Sequence, residues 1–221
     1  MTAVSESFAA IYRAAGFPNV RTVSNGLSPA FLERVERRRP SGAGRVRIGH
    51  IGGRSRHKGA HLLEIALTAR GFDHLEAVVV DHAEPPGFER RLTWGTTPVL
   101  IRGGVDQDRM AELYGTLDVL VAPSIWPESH GLVSREALAM GLWVVVSDLG
   151  AIGEDVVAGE NGYVIDVKDA RALTEVLQRI DADPDTYRGS PALPFFPRMA
   201  SEQTDELALL YRDVAQHVAG R

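Results

Sequence analysis

From residue 45 onward two hydrophobic rhythms alternate along the chain. Short continuous apolar runs rich in β-branched residues are separated by segments whose apolar side chains return every three or four positions. The first rhythm marks strands buried on both faces, and the second marks helices packed along one stripe. On this basis "RVRIGHI" (45–51), "LEAVVV" (75–80), "PVLI" (98–101), "DVLVAP" (118–123), "WVVVSD" (143–148) and "GYVID" (162–166) are expected to be strands. "AHLLEIALTA" (60–69), "DQDRMAELYGTL" (106–117, opened by Asp106), "SREALAM" (134–140) and "DARALTEVLQRI" (169–180) are expected to be helices. "EPPGFE" reads as a loop. Alternation of this kind predicts an α/β fold, a parallel sheet with helices on both faces.

Two segments fall outside the pattern. Residues 1–40 hold "FPNVRTVSNGLSPAF" and run into the basic stretch "RVERRRPSGAGR", which reads as a solvated linker to the first strand. Residues 181–198, "DADPDTYRGSPALPFFPR", read as proline-rich loop. The final segment (199–219) is patterned as a long amphipathic helix with Leu207, Leu210, Tyr211 and Val214 on one face, the kind that packs across a boundary or on its own domain.

Ligands of open parallel sheets bind beyond the carboxyl ends of the strands. Three polar, glycine-bearing loops follow such ends, at 52–59, 102–106 and 124–133. The first, "GGRSRHKG", sets Arg54, Arg56 and Lys58 just ahead of a helix, where glycine backbone, helix dipole and cations all favour an anion. The last, in "SIWPESHGLVSREALAMG", carries Glu128 and Glu136 on either side of Gly131. A carboxylate suits the paired hydroxyls of a ribose. The amides of Gly131, Leu132 and Val133 open the helix and suit a phosphate. Taken singly, each has a plain structural explanation: a βα turn, an exposed acid, a helix-dipole partner. Together they specify ribose, diphosphate and sugar along one rim.

Bulk properties narrow the partners. The 221 residues carry 29 acidic against 24 basic side chains, a net charge of -5, which gives no global pull toward nucleic acid or an anionic membrane. Any anion site must be local. There are no cysteines, which removes disulfides and thiolate metal sites and fits a reducing compartment. No stretch approaches the ~20 apolar residues needed to span a bilayer. A soluble, cytoplasmic protein is the expectation.

From about Ser24 to Ile180 the chain resembles the carboxy-terminal, donor-binding half of retaining glycosyltransferases of family 4, whose fold is GT-B with Rossmann-like domains. "SNGLSPAF" is similar to the segment entering that half, and "GGRSRHKGAHLL" to its Gly-Arg…Lys-Gly phosphate turn. "PESHGLVSREALAMG" resembles the Glu-seven-residues-Glu motif, and "VVVSDLGAIGEDVVAGENGYVID" the stretch that follows it. The resemblance implies that Arg54 and Lys58 neutralise the diphosphate leaving group and that Glu128 touches the transferred sugar. It further implies that Glu136 holds the ribose, that Gly53 and the amides near Leu132 cradle phosphate, and that the backbone at Ile101 and Arg102 flanks the base. The nucleotide-diphosphate-sugar is then a substrate, with no cofactor and no metal required. Two departures stand out. The spacing from Arg54 to Lys58 is one residue short, which makes Arg56 a rival phosphate cation. His130 replaces a frequent phenylalanine and reads as a loop residue rather than a phosphate donor.

The same likeness implies a missing amino-terminal acceptor domain. Residues 1–23 would be its tail, 24–198 the nucleotide-sugar domain and 199–221 the terminal helix, and any membrane contact would be peripheral, through the missing half. The rival expectation is a non-catalytic nucleotide- or protein-binding module with the same fold. An epimerase-like enzyme would need acids in another arrangement. "DQD" (106–108) matches an Asp-x-Asp metal pattern, but Asp106 reads better as an N-cap with Asp108 in the first turn. His57 and the Asp81–His82 pair read as exposed loop residues. Trp126 is either a wall of the site or core.

Overall fold

The computed structural model describes residues 1–33, 44–193 and 195–219. Most of the basic linker, residues 34–43, lies outside the described residues. Four elements precede the main sheet: β1 (Thr2–Ala3), α1 (Glu6–Ala14), β2 (Arg21–Thr22) and α2 (Pro29–Leu32). The sheet region follows with β3 (Val46–Ile51), α3 (Ala60–Ala69), β4 (Leu75–Asp81), β5 (Glu89–Trp94), β6 (Thr97–Gly103), α4 (Met110–Tyr114), β7 (Val119–Ala122), α5 (Leu132–Ala139), β8 (Trp143–Ser147) and β9 (Gly162–Ile165). The chain ends in α6 (Ala172–Ala182), α7 (Pro184–Arg188) and α8 (Ala200–Ala219).

Seven strands form one sheet in the order β5-β6-β4-β3-β7-β8-β9, every pair parallel except β5 with β6. The expected parallel α/β sheet is thus present. Continuous apolar runs are needed because alternate residues of one strand feed different cores. In β7, Val119 and Val121 face one layer while Leu120 and Ala122 face the other, and in β8 Trp143 and Val145 oppose Val144 and Val146. The first layer is closed by α3, α6 and α7 through Leu63, Leu67, Leu177, Ile180 and Tyr187. The second is closed by α4 and α5 through Leu113, Tyr114, Ala137 and Leu138, with Phe31 of α2 edge-on to Tyr114.

Three local expectations need correction. A strand, β5, stands where loop was expected after "EPPGFE". It is an edge strand whose "ERRLTW" is largely exposed, so it lacks the doubly apolar pattern and is made by its hairpin instead. Trp94 pairs with Thr97 across a two-residue turn in which Gly95 has φ 58°, a conformation that glycine adopts without strain. The helix expected over 106–117 is a 3-10 turn, Gln107–Arg109, followed by the short α4. Asp106 does sit at the N-cap position, but its side chain makes no capping bond. The stretch from 181 is not all loop: α6 runs to Ala182, and Pro184, lacking an N–H, starts α7. Tyr187 of α7 packs at a tilt against Trp143, with ring centroids 5.0 Å apart, and the Trp143 indole N–H donates to the Gly189 carbonyl at 3.1 Å.

The two ends of the chain fasten to this body. Leu27 N–H donates to the Arg198 carbonyl, and Ala200 N–H returns a bond to Leu27. Gln203 of α8 spans Gly26 and Asn25. On the expected apolar face of α8, Leu207 and Leu210 are half-buried while Tyr211 and Val214 are exposed. These four border a cavity that they share with Met1, Thr2 and Asn19.

Replacing Leu120, wholly buried in central strand β7, with Ala should cost about 2–5 kcal/mol. Urea unfolding measures this; an unchanged midpoint would mean the sheet is not packed on both faces as described.

Candidate functional site

In the sheet β6, β4, β3 and β7 lie side by side and run the same way, so their carboxyl ends form one rim. After β3 the chain bends at Gly52 and Gly53, makes a 3-10 turn over Arg56–Lys58, and enters α3 through Gly59. Gly59 has φ 80°, and a β-carbon there would lie 2.0 Å from the Pro123 carbonyl oxygen. Its absence lets the loop after β7 lie directly on the bend. Ile125 N–H donates to the His57 carbonyl at 2.9 Å, and the Ser124 hydroxyl oxygen stands 3.0 Å from the same carbonyl oxygen.

This closeness joins two of the expected site residues. Lys58 Nζ donates to Glu128 Oε1 at 2.7 Å, and Ser124 Oγ donates to the same oxygen at 3.0 Å. The lysine side chain is 35% exposed and the glutamate 19%, so both remain within reach of a ligand. Glu128 is also held through its backbone. It bridges to Gly150, whose φ of 77° and closeness to Glu128 exclude a side chain. Arg54 turns the other way, toward Asp81 of β4 at 4.0 Å. Arg56 and His57 are exposed. Trp126, left between wall and core by its sequence, is 65% exposed and not core.

Gly131 (φ 73°) starts α5, and a β-carbon there would sit 2.7 Å from Ile152 Cα. The first-turn amides, including those of Leu132 and Val133, have no acceptor within their own helix. Glu136 on the same helix is buried rather than displayed. It accepts a 2.8 Å hydrogen bond from the Tyr114 hydroxyl of α4 and another from Gln107. Burial raises its carboxyl above the ordinary value of 4.5, and the Tyr114 and Gln107 bonds partly oppose the rise. Glu136 therefore engages a different set of partners from Lys58.

His130 lies in the loop before α5, as expected, but it is buried there. It is 3% exposed and its Nδ1–H donates to the Val4 carbonyl at 2.9 Å. Nε2 is buried without a partner among the described residues. Burial, then the nearby Arg135, lower its basicity and hold the ring neutral. Arg135 itself pairs with Asp155 at 2.7 Å and Glu154 at 3.4 Å, and Glu154 accepts from Ser7 N–H. The amino-terminal segment is thereby tied to α5. Ile101 and Arg102 lie within β6, where they pair with Val79 and Val80 of β4 and with Arg90 and Glu89 of β5; Ile101 is core, and the Arg102 side chain lines a cavity on the sheet face with Arg47 and Arg91.

Comparison with known proteins decides the family. The profile of the glycosyl transferases group 1 family matches residues 43–189. The chain belongs to the glycosyl transferases group 1 family. A phosphatidyl-myo-inositol mannosyltransferase of Mycobacterium leprae is 31% identical over 106 residues, 48% of this chain and 28% of that protein. A lipopolysaccharide core biosynthesis mannosyltransferase of Rhizobium leguminosarum is 44% identical over 71 residues, 32% of this chain and 20% of that protein. Among solved structures, sucrose-phosphate synthase from Thermosynechococcus elongatus superposes with TM-score 0.76 at 22% identity, over 98% of this chain and 58% of that one. Anabaena HepE, solved in complex with UDP and glucose, gives 0.64 at 19% identity, over 100% and 62%. These structural neighbours are GT-B glycosyltransferases. The chain spans less than two thirds of their length.

Within this group 1 fold, sequence reading missed Tyr114, Gln107, Ser124 and Arg135. Each serves the site through a partner distant in sequence, and a single chain carries no mark of such pairings.

The state of Glu136 yields a pH dependence. Its folded-state pKa is raised, so the folded chain binds the proton more tightly than the unfolded chain does. Stability falls as pH rises through the carboxylate range. Glu136→Gln should therefore melt higher than the parent at pH 7, and the gap should narrow toward pH 4. A gap independent of pH would contradict the burial described.

Proposed function

We propose that this chain is the donor-binding part of a retaining, metal-independent glycosyltransferase of family 4, transferring a sugar from a nucleotide diphosphate to a glycan, lipid or small-molecule acceptor. The observation that supports it most is the Lys58–Glu128 contact. It places a cation and a carboxylate 2.7 Å apart at the ends of β3 and β7, beside the opening of α5. A diphosphate and the sugar attached to it need that pair of charges side by side.

In this reading Lys58 and Arg54, with Arg56 at the edge, take up the negative charge that develops as the bond from the sugar's anomeric carbon to the terminal phosphate breaks. The acceptor oxygen forms the new bond to the anomeric carbon and gives its proton to the departing phosphate oxygen, and the nucleoside diphosphate leaves. Lys58 has three donor positions and can hold a phosphate oxygen while keeping Glu128. That carboxylate then faces the sugar hydroxyls. Glu136 meets the ribose only at the edge of a buried carboxylate already held by Tyr114, which fixes its orientation. The amides of Leu132 and Val133, with the bend at Gly53, complete the phosphate cradle, and the backbone at Ile101 and Arg102 flanks the base. Protein cations in place of a divalent ion make the reaction metal-independent.

The acceptor domain is assigned to sequence outside this chain, with residues 1–23 its tail, 24–198 the donor domain and 199–221 the closing helix. Names of relatives that act on phosphatidyl-myo-inositol and lipopolysaccharide core support a membrane-proximal acceptor met peripherally. Among the described residues no helix is long and apolar enough to cross a membrane. A cytoplasmic location accords with the absence of cysteine.

Calorimetry against UDP-, GDP-, ADP- and dTDP-sugars tests the reading. One member should bind, with affinity unaltered by EDTA. Lys58→Ala should weaken it by ~1–3 kcal/mol, the cost of losing a hydrogen bond to a charged group. Binding that is indifferent to Lys58, or dependent on a divalent ion, would refute the assignment.

A further inference from the structure

His50 lies next to the end of β3 and is 1% exposed. Its ring stands directly under the glycine bend, for a β-carbon added at Gly52 would lie 3.3 Å from Nε2. Nε2 is 3.1 Å from the Gly53 carbonyl oxygen, and Nδ1 is 2.9 Å from the Val121 carbonyl oxygen in β7. One imidazole therefore spans from the bend that carries Arg54 to the strand that feeds Ser124 and Glu128.

Both of its neighbours are carbonyls, which only accept. A neutral imidazole has a single N–H, so one contact is a hydrogen bond and the other sets two lone pairs against each other. A protonated ring donates to both. In the free protein burial is the chief influence holding the ring neutral, and Lys58 and His82 act in the same direction. The remaining charges on the packed elements are already engaged, Arg54 facing Asp81 and Glu128 holding Lys58. A diphosphate docked at Lys58 would bring negative charge beside the ring and remove much of that opposition.

We propose that His50 is a positioning residue for the donor diphosphate: it pins the Gly53 carbonyl, and with it the cationic bend, to β7, and takes a proton from solvent as the diphosphate binds so that both carbonyls are held. The proposal rests on the donor-site reading above. Its consequence is directional. The bound ring has the higher pKa, so affinity is greatest at low pH and declines as pH rises through that value.

The test uses UDP-glucose, or the panel sugar nucleotide that binds in its place, because each phosphate is doubly substituted, by one ester and one anhydride bond, and has no proton to exchange near neutrality. Binding enthalpy at pH 7 is measured in two buffers of different ionisation enthalpy. The parent chain should take up a fraction of a proton. His50→Phe fills the space without a ring donor; it should lose the uptake and bind about tenfold more weakly, as for one lost hydrogen bond. His50→Gln keeps one donor and should recover part of the affinity without the uptake. His57 and His82 are unchanged in both variants, so a proton taken up by either would persist. Proton uptake that survives both substitutions, or parent-like affinity in His50→Phe, overturns the proposal. Should His50→Phe fail to fold, uptake in His50→Gln decides alone. A parent chain that binds no sugar nucleotide overturns the donor-site reading itself, and this inference with it.

Discussion

No β-carbon fits between Gly59 and the carbonyl of Pro123, and the rim of the sheet is organised by that closeness. The two loops are the exits of adjacent strands, so they would otherwise be held apart by their own side chains. With glycine at one contact point, the backbone of one loop bonds directly to the other and Lys58 reaches Glu128. The same device recurs at Gly150 against Glu128 and at Gly131 against Ile152. Three glycines thus do more to shape the site than any charged residue in it. They set how near the charges stand, and distance decides what a charge can do at a partly solvated surface.

Several polar groups beneath this surface are committed to partners. Glu136 is held by Tyr114 and Gln107, Arg135 by Asp155 and Glu154, and His130 by Val4. Buried groups of this kind cost stability unless paired, and once paired they resist reorientation. The rim is therefore a scaffold carrying Lys58, paired with Glu128, and the exposed Arg54 and Arg56 of the same short turn. A net charge of -5 is no obstacle to anion binding where the cations are placed together by one short turn.

The sheet could be read from sequence wherever a strand is buried on both faces, because the requirement for apolar side chains on each side leaves an uninterrupted run. β5 broke that rule by lying at the edge, and its hairpin glycine was the only trace. α7 was hidden by a proline, which reads as a breaker yet begins a helix as readily as it ends one. Within the site Lys58, Glu128, Glu136 and Gly131 stood out through local spacing. The groups around them did not: Tyr114 reaches Glu136 from another helix, Ser124 joins the loop after β7 to His57, and His50 links the bend to β7, contacts that exist only once the sheet is assembled. His130 was legible as a loop residue, but its hydrogen bond was not, since the partner is Val4, at the far end of the chain.

That last contact bears on how the chain can be divided. A cut at residue 24 looks natural from the strand pattern, but it would take away the carbonyl that accepts the His130 hydrogen bond and the Ser7 amide that donates to Glu154. The excised piece would keep its sheet and yet present an imidazole with neither nitrogen engaged, at the foot of the very helix whose opening turn faces the rim. Residues 1–23 are thus part of the packing around α5, through Val4 and Ser7.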